Sequence, residues 1–180
     1  MSDAEILRNM KAAGVPDAAL MTTLPLEGCP DIRTFIREAG YRSASGYHGV
    51  YIHPKKVTDA GKARKVFHVI AKEMILHRES VYCISLDRLV EGLSSDYDST
   101  AIDRAESATT LFLADFYERG APFPLAPWQA GVVRSWIRSK FENGGAVSLL
   151  GDGPMREAVA WWPPAFLGFL SENMHTFVIG

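Results

Sequence analysis

Tyr47-His-Gly-Val-Tyr-Ile-His53 leads into Pro54-Lys-Lys-Val-Thr-Asp-Ala60, then into Gly61-Lys-Ala-Arg-Lys65 and an apolar-periodic run to His77. The stretch reads as a buried strand, a basic loop and a helix carrying Gly-Lys in its first turn, which is how a phosphate-binding loop is laid out. The letters depart from that layout. In the pattern G-x-x-x-x-G-K-[ST], Gly61-Lys62 sets the register, so Lys56 stands where the first glycine belongs and Ala63 where the magnesium-ligating hydroxyl belongs. Lys55, Lys56, Lys62, Arg64 and Lys65 gather around a helix N-terminus whose free amides and dipole favour anions. A loop holding Pro54, Val57 and Thr58, however, cannot wrap phosphates with its backbone as a glycine-rich loop does. The residues alone leave two readings open: a phosphate site in which Lys62 reaches the terminal phosphates, and a solvated basic turn.

On the C-terminal side the pattern stays regular. Thr58 or Asp59 can cap a helix with Ala63, Val66, Phe67, Ile70, Ala71 and Met74 on one face. Val81-Tyr-Cys-Ile-Ser85 reads as a second strand, Asp87 as the cap of a short helix to Leu93, and Ser94 to Thr100 as an acidic, polar connection. Thr110 to Ala114 forms a third strand ending in Asp115; prolines 122, 124 and 127 lead into a helix with Val132, Val133, Trp136, Ile137 and Phe141 inward, stopped by Asn143-Gly144-Gly145. Ala146 to Leu150 is a fourth strand, Met155 to Met174 is helical around Pro163-Pro164, and His175 to Ile179 is a fifth strand.

On the N-terminal side, Ile6, Leu7 and Met10 mark a helix over Asp3 to Ala13, stopped by Gly14 and Pro16. Asp31 caps a second helix, Ile32 to Ala39, and Ser43-Ala-Ser-Gly46 is a polar linker. The chain therefore divides into a helical lead-in, 1–45, and a core, 46–180. Short apolar strands alternating with helices predict a three-layer α/β/α fold around a five-stranded, mostly parallel sheet. Ligands bind such sheets beyond the carboxyl ends of the strands, a rule that gathers residues 53–62, Asp115 and residues 151–153 on one rim.

At 180 residues, with 47% hydrophobic and 22% charged residues and a formal charge of -2, the chain can bury one large core and is neither a disordered nor a strongly basic nucleic-acid protein. One basic rim would still suffice for DNA. Cys29 and Cys83 lack metal spacing and read as free thiols. No basic flank precedes an apolar segment at the N-terminus and no apolar run spans a membrane, so a cytoplasmic protein is expected. Trp128, Trp136, Trp161 and Trp162 fall at core spacing, with one ring of the Trp161-Trp162 pair left for a partner surface.

Leu111-Phe-Leu-Ala-Asp115 delivers a carboxylate to the rim, where an acidic residue holds magnesium in phosphoryl-transfer enzymes; the acid that would polarise water is replaced by Phe116, leaving Glu118 as a substitute if the loop bends back. Ser148 and Asp152 are candidates for sensing a terminal phosphate, although Gly151-Asp-Gly153 is equally an ordinary tight turn.

Taken in order, Ala13-Gly-Val-Pro16 with Thr23-Leu24, Gly49-Val-Tyr-Ile52, Val81-Tyr-Cys-Ile-Ser-Leu-Asp-Arg-Leu-Val90, Leu111-Phe-Leu-Ala-Asp115-Phe and Ala146-Val-Ser-Leu-Leu150 resemble the AAA+ ATPase core of the DnaC-type helicase loaders and IstB-type transposition ATPases, over nearly the whole chain. The resemblance implies a P-loop NTPase-like fold, here without the lid that would follow the fifth strand. It implies ATP or ADP with magnesium as the ligand where the site still works, held by Lys56, Thr58, Gly61, Lys62 and Ala63, with the metal on Asp115, and no cofactor where it does not. Implied partners are a replicative helicase or another replication or transposition protein, single-stranded DNA, and further copies of the chain. The departures fall on the chemistry: Ala63, Phe116, Gly151 or Asp152 in place of the sensor, and Lys140-Phe141 where the family often carries Arg-Tyr. Three expectations result: a helicase-loader-type protein with weak or lost ATPase activity; an active ATPase using Thr58, Lys62, Asp115 and Glu118; or a scaffold contacting partners through Trp161-Trp162 and the proline loop.

Overall fold

The computed structural model describes residues 3–20, 22, 49–77, 79–94 and 99–180. Its centre is β1 (Val50–Pro54), every residue of which is buried, as the apolar run Val50-Tyr51-Ile52 requires of a strand covered on both faces. β2 (Val81–Ser85), β3 (Thr110–Tyr117), β4 (Ala146–Gly151) and β5 (His175–Ile179) complete one sheet in the order β2-β3-β4-β1-β5, and every pairing is parallel. On one face lie α1 (Asp3–Ala12), α2 (Asp17–Leu20) and α3 (Ala60–Leu76). On the other lie α4 (Leu86–Ser94), α5 (Ser99–Ser107), α6 (Pro127–Glu142) and α7 (Pro164–Asn173).

Strand alternation sorts the two cores. Val50, Ile52, Phe112, Ala114, Leu150 and Phe177 face α3, while Tyr51, Leu111, Leu113, Val147 and Leu149 face the opposite layer. The expected stripe of α3 is wholly buried, and Val69, Lys72 and Ile75 join it because Met10, Ala13, Val15 and Ala19 cover the helix from outside. Each such large apolar side chain contributes about 1.5–3 kcal/mol by leaving water. Gly49 has no room for a side chain, since a Cβ there would lie 1.7 Å from the Val147 carbonyl oxygen.

Several expectations are corrected. β3 does not stop at Asp115 but runs to Tyr117 through an irregularity in which Ala114, Asp115 and Phe116 face the single Leu150. Helix α4 starts at Leu86, so Asp87 lies in its first turn, and the Ser85 hydroxyl accepts the Arg88 amide instead. Helix α5 occupies residues read as part of a polar connection and its sequel. Trp128 is 59% exposed and Val132 is exposed beside it, whereas Trp161 and Trp162 are both buried, so neither ring of that pair is free for a partner. Residues 155–174 divide into a 3-10 segment, Met155–Ala160, and α7. The helix predicted at 32–39, the linker at 43–46 and Cys29 lie outside the described residues; Cys83 is a free thiol that burial raises to a pKa of about 12. Among the described residues, no helix is long and apolar enough to cross a membrane.

Candidate functional site

The rim beyond β1 begins with a loop that folds on itself. Pro54 has no amide hydrogen, the Lys55 amide donates to the Ile179 carbonyl at 2.7 Å, the Lys56 amide to Asp59 Oδ2 at 3.2 Å, and the Asp59 amide to the Lys56 carbonyl at 2.9 Å. These bonds form a 3-10 turn, Val57–Asp59, that leads directly into α3. Asp59 occupies the residue before α3, and its carboxylate holds the loop amide rather than the helix amides. A phosphate cradle needs loop amides pointing inward and unshared; three of these are already committed.

The sequence-predicted residues separate into two groups. Lys56 and Thr58 line a shallow recess of about 410 Å³ with Lys55, Asp59, Val178 and Gly180, on the β5 side of the rim. Lys62 turns the same way, its Nζ donating to the Gly180 carbonyl at 2.7 Å. Gly61 faces open space, and Ala63 is completely buried among Val66, Phe67 and the β1 residues. Asp115 lies on the other side, in the irregular last part of β3, with β4 and β1 between it and β5. Its carboxylate pairs with the guanidinium of Arg64. Thr58 and Lys62 therefore do not converge with Asp115.

The remaining candidates are dispersed. Ser148 is 1% exposed inside β4, opposite Phe112, and so stands back from the rim. Asp152 reaches the rim through its backbone, its amide donating to the Tyr117 carbonyl at 2.9 Å. Glu118 is exposed just past β3; the neighbouring Arg119 grips Glu157 at 2.8 and 3.0 Å.

Between Asp115 and the 151–153 turn the rim is aromatic. Phe116 stacks on Trp162, with ring centroids 4.9 Å apart and planes within 4°, and the Trp162 indole N–H donates to the Phe116 carbonyl at 2.8 Å. Tyr51 packs edge-on against Phe116 and donates from its hydroxyl to the Gly153 carbonyl at 2.6 Å. Burial raises the Tyr51 pKa well above the ordinary tyrosine value, keeping it a neutral donor. Gly151 must be glycine, because a Cβ there would sit 2.3 Å from the Tyr51 oxygen. Sequence reasoning missed this cluster and the Arg64–Asp115 pair. The available signals were Phe116 itself and a charged residue directly after Ala63.

These residues do not fit magnesium nucleotide. The hydroxyl position is a buried methyl, three of the loop amides are occupied, and the position for the water-polarising acid is a core phenyl ring. Among the described residues, no group of three His, Cys, Asp or Glu side chains could hold a metal ion.

No family model matches the sequence, and no curated protein matches it significantly. Solved structures do match. The DnaC helicase loader superposes with a TM-score of 0.64 at 14% identity, over 83% of this chain and 86% of that one. DnaI superposes at 0.61 and 16%, over 100% and 92%. The replication initiator DnaA bound to AMPPCP and single-stranded DNA superposes at 0.65 and 15%, over 91% of this chain but only 50% of the initiator. Together with the all-parallel β2-β3-β4-β1-β5 order, these likenesses show that the chain shares the three-layer α/β/α fold of the DnaC helicase loader structure.

Proposed function

We propose that this chain uses the AAA+ core as a replication or mobile-element protein of the helicase-loader type, acting through protein partners with weak or lost ATP turnover. The observation that supports it most is the burial of Phe116 against Trp162, together with the buried methyl of Ala63. Hydrolysis on this fold needs a hydroxyl on the metal and an acid beside the attacking water. Here both positions belong to the hydrophobic core, so transition-state charge would meet no preorganised partner. In this reading Lys56, Thr58, Gly61, Lys62 and Ala63 are vestiges of a nucleotide loop, Ser148 and Asp152 of a sensor, and Asp115 with Glu118 of the metal and water chemistry.

The matched structures are described as a helicase loader and as an initiator bound to AMPPCP and single-stranded DNA. By analogy the partner proposed here is a replicative helicase or another replication protein, with single-stranded DNA and self-association as further candidates. Exposed Trp128, beside exposed Pro124 and Pro127, offers a contact surface in place of the buried Trp161 and Trp162.

Phosphate release in magnesium-ATP, with and without single-stranded DNA, tests the reading. Turnover indistinguishable from the Asp115→Ala variant is expected. Steady release that is stimulated by DNA and lost in Asp115→Ala would overturn it in favour of an active enzyme using Thr58, Lys62, Asp115 and Glu118.

A further inference from the structure

We infer that Arg64 is a resident cation of the rim, which pairs with Asp115 in place of a metal and competes with divalent metal ions for it. The inference deepens the reading above by naming the group that stands in for the metal, and it rests on that reading's correspondence of Asp115 with a metal-holding acid.

The argument starts from the backbone. In regular alternation Phe112, Ala114 and Phe116 would share the α3 face of β3, and Asp115 would point to the opposite layer. Instead Asp115 takes φ 58, the left-handed region, which side-chain-bearing residues other than Asn and Asp seldom visit. Two contacts result together. Phe116 joins the aromatic cluster on the α6–α7 side, and the Asp115 carboxylate meets Arg64 on α3. Ala114 and Phe112, on the regular part of the strand, remain in the α3 core.

The choice of cation then has consequences. Lys62, which a phosphate loop would direct at the ligand, is bonded to the Gly180 carbonyl on the far side of the rim. Arg64 is one residue past the missing hydroxyl, so the N-terminal part of α3 brings positive charge to Asp115 where a hydroxyl would have brought a metal. A guanidinium stays charged throughout the physiological range and binds a carboxylate through fixed, directional N–H groups. Unlike a metal, it neither requires a nucleotide to hold it nor departs after hydrolysis. His68, one turn further along α3, is kept below the usual histidine pKa by burial and by the Arg64 charge, so it adds no second positive charge at neutral pH. The arrangement gives a rim whose state is set by the fold and not by a nucleotide cycle.

Manganese broadening of backbone amide signals provides the test, because the paramagnetic ion reports proximity without needing ATP or activity. The folded chain titrated with manganese chloride alone is expected to show no selective loss of the Asp115 and Phe116 signals. Arg64→Gln is expected to lose them at manganese concentrations about tenfold lower or more, since removing an adjacent opposite charge restores that much cation affinity. The double variant Arg64→Gln with Asp115→Asn should be silent again. Selective broadening at Asp115 in the unaltered chain, or none in folded Arg64→Gln, would overturn the inference. Arg64→Lys covers the case in which Arg64→Gln does not fold: it keeps the charge and should stay silent, and selective broadening there would count against a charge-based role. These outcomes are independent of ATP turnover, so hydrolysis in the unaltered chain would sink the proposed function and leave the manganese result to be judged separately.

Discussion

Asp115 combines a backbone cost with a side-chain gain, and the two can be separated by substitution. A residue with a Cβ at φ 58 costs roughly 1–2 kcal/mol, least for Asn and Asp, whose short polar side chains bond locally. The Arg64 pair is half exposed, at 49% and 39%, which limits it to about 0–1 kcal/mol. Asp115→Asn, which keeps the backbone tolerance and loses the charge, should therefore cost no more than about 1 kcal/mol in urea unfolding. Asp115→Val adds β-branching at positive φ and should cost roughly 2–3 kcal/mol. Equal losses in the two variants would show that the left-handed backbone is not what the residue is chosen for.

His68 supplies the pH dependence at the same scale. Its folded pKa lies below the ordinary 6.5, first because of burial and then because of Arg64. Between the lowered value and 6.5 the unfolded chain binds the proton and the folded chain does not, so stability rises with pH across that window and is fully present above 6.5. Acidification from about pH 7.5 to about pH 5 should cost the unaltered chain more than His68→Gln, as read by urea midpoints. A slope unchanged by His68→Gln would remove histidine from the account.

At the scale of elements, buried Lys140 shows how one helix is finished by another. From the end of α6 its Nζ donates to the Ala105 carbonyl at 2.6 Å and the Glu106 carbonyl at 3.1 Å, capping the last turn of α5, and it lies 5.6 Å from the Trp136 ring. A cation at a helix C-terminus meets unpaired carbonyls and the negative end of the dipole. Lys140→Met keeps the aliphatic stem and strands both carbonyls, so a loss of roughly 1–3 kcal/mol is expected in urea unfolding, with faster amide exchange confined to α5. Uniform exchange through the molecule would contradict the capping role. The same pair of elements shows where sequence reading works. The inner stripe of α6 was legible at Val133, Ile137 and Phe141 because three-and-four spacing reports a helix with one face on a core. Helix α5 was not, because Ser99–Ser107 is largely polar and two of its last carbonyls are bonded by a lysine 35 and 34 residues away. β2 and β5 were read to the residue from their β-branched and aromatic runs. The continuation of β3 past Asp115 was hidden, because a carboxylate after an apolar run looks like a strand end and only the tertiary aromatic cluster draws the chain onward.

For the whole molecule, α/β alternation announced parallel strands between two helical layers, while placing β1 between β4 and β5 required knowing which strands pair, which apolar patterns do not encode. The rim was legible as a place and not as a geometry: Lys62 and Asp115 are both there, turned to opposite sides. That division makes nucleotide binding a question about the stability of the entire fold. A ligand present at about 100 times its dissociation constant stabilises the folded state by about 2.7 kcal/mol, which for a chain of 180 residues raises the melting temperature by roughly 5–10 °C. With three loop amides bonded internally and the Asp115 carboxylate paired to Arg64, magnesium-ATP at about 1 mM should shift melting by less than about 1 °C, the response when the dissociation constant exceeds the ligand concentration. Lys62→Ala should behave identically. A shift of several degrees that Lys62→Ala abolishes would mean that the loop reopens to accept phosphate, with Lys62 leaving the Gly180 carbonyl, and that the fold still couples nucleotide to its stability. An unchanged melting curve would instead mean that any partner-induced stabilisation arises at another surface, such as the one around Trp128.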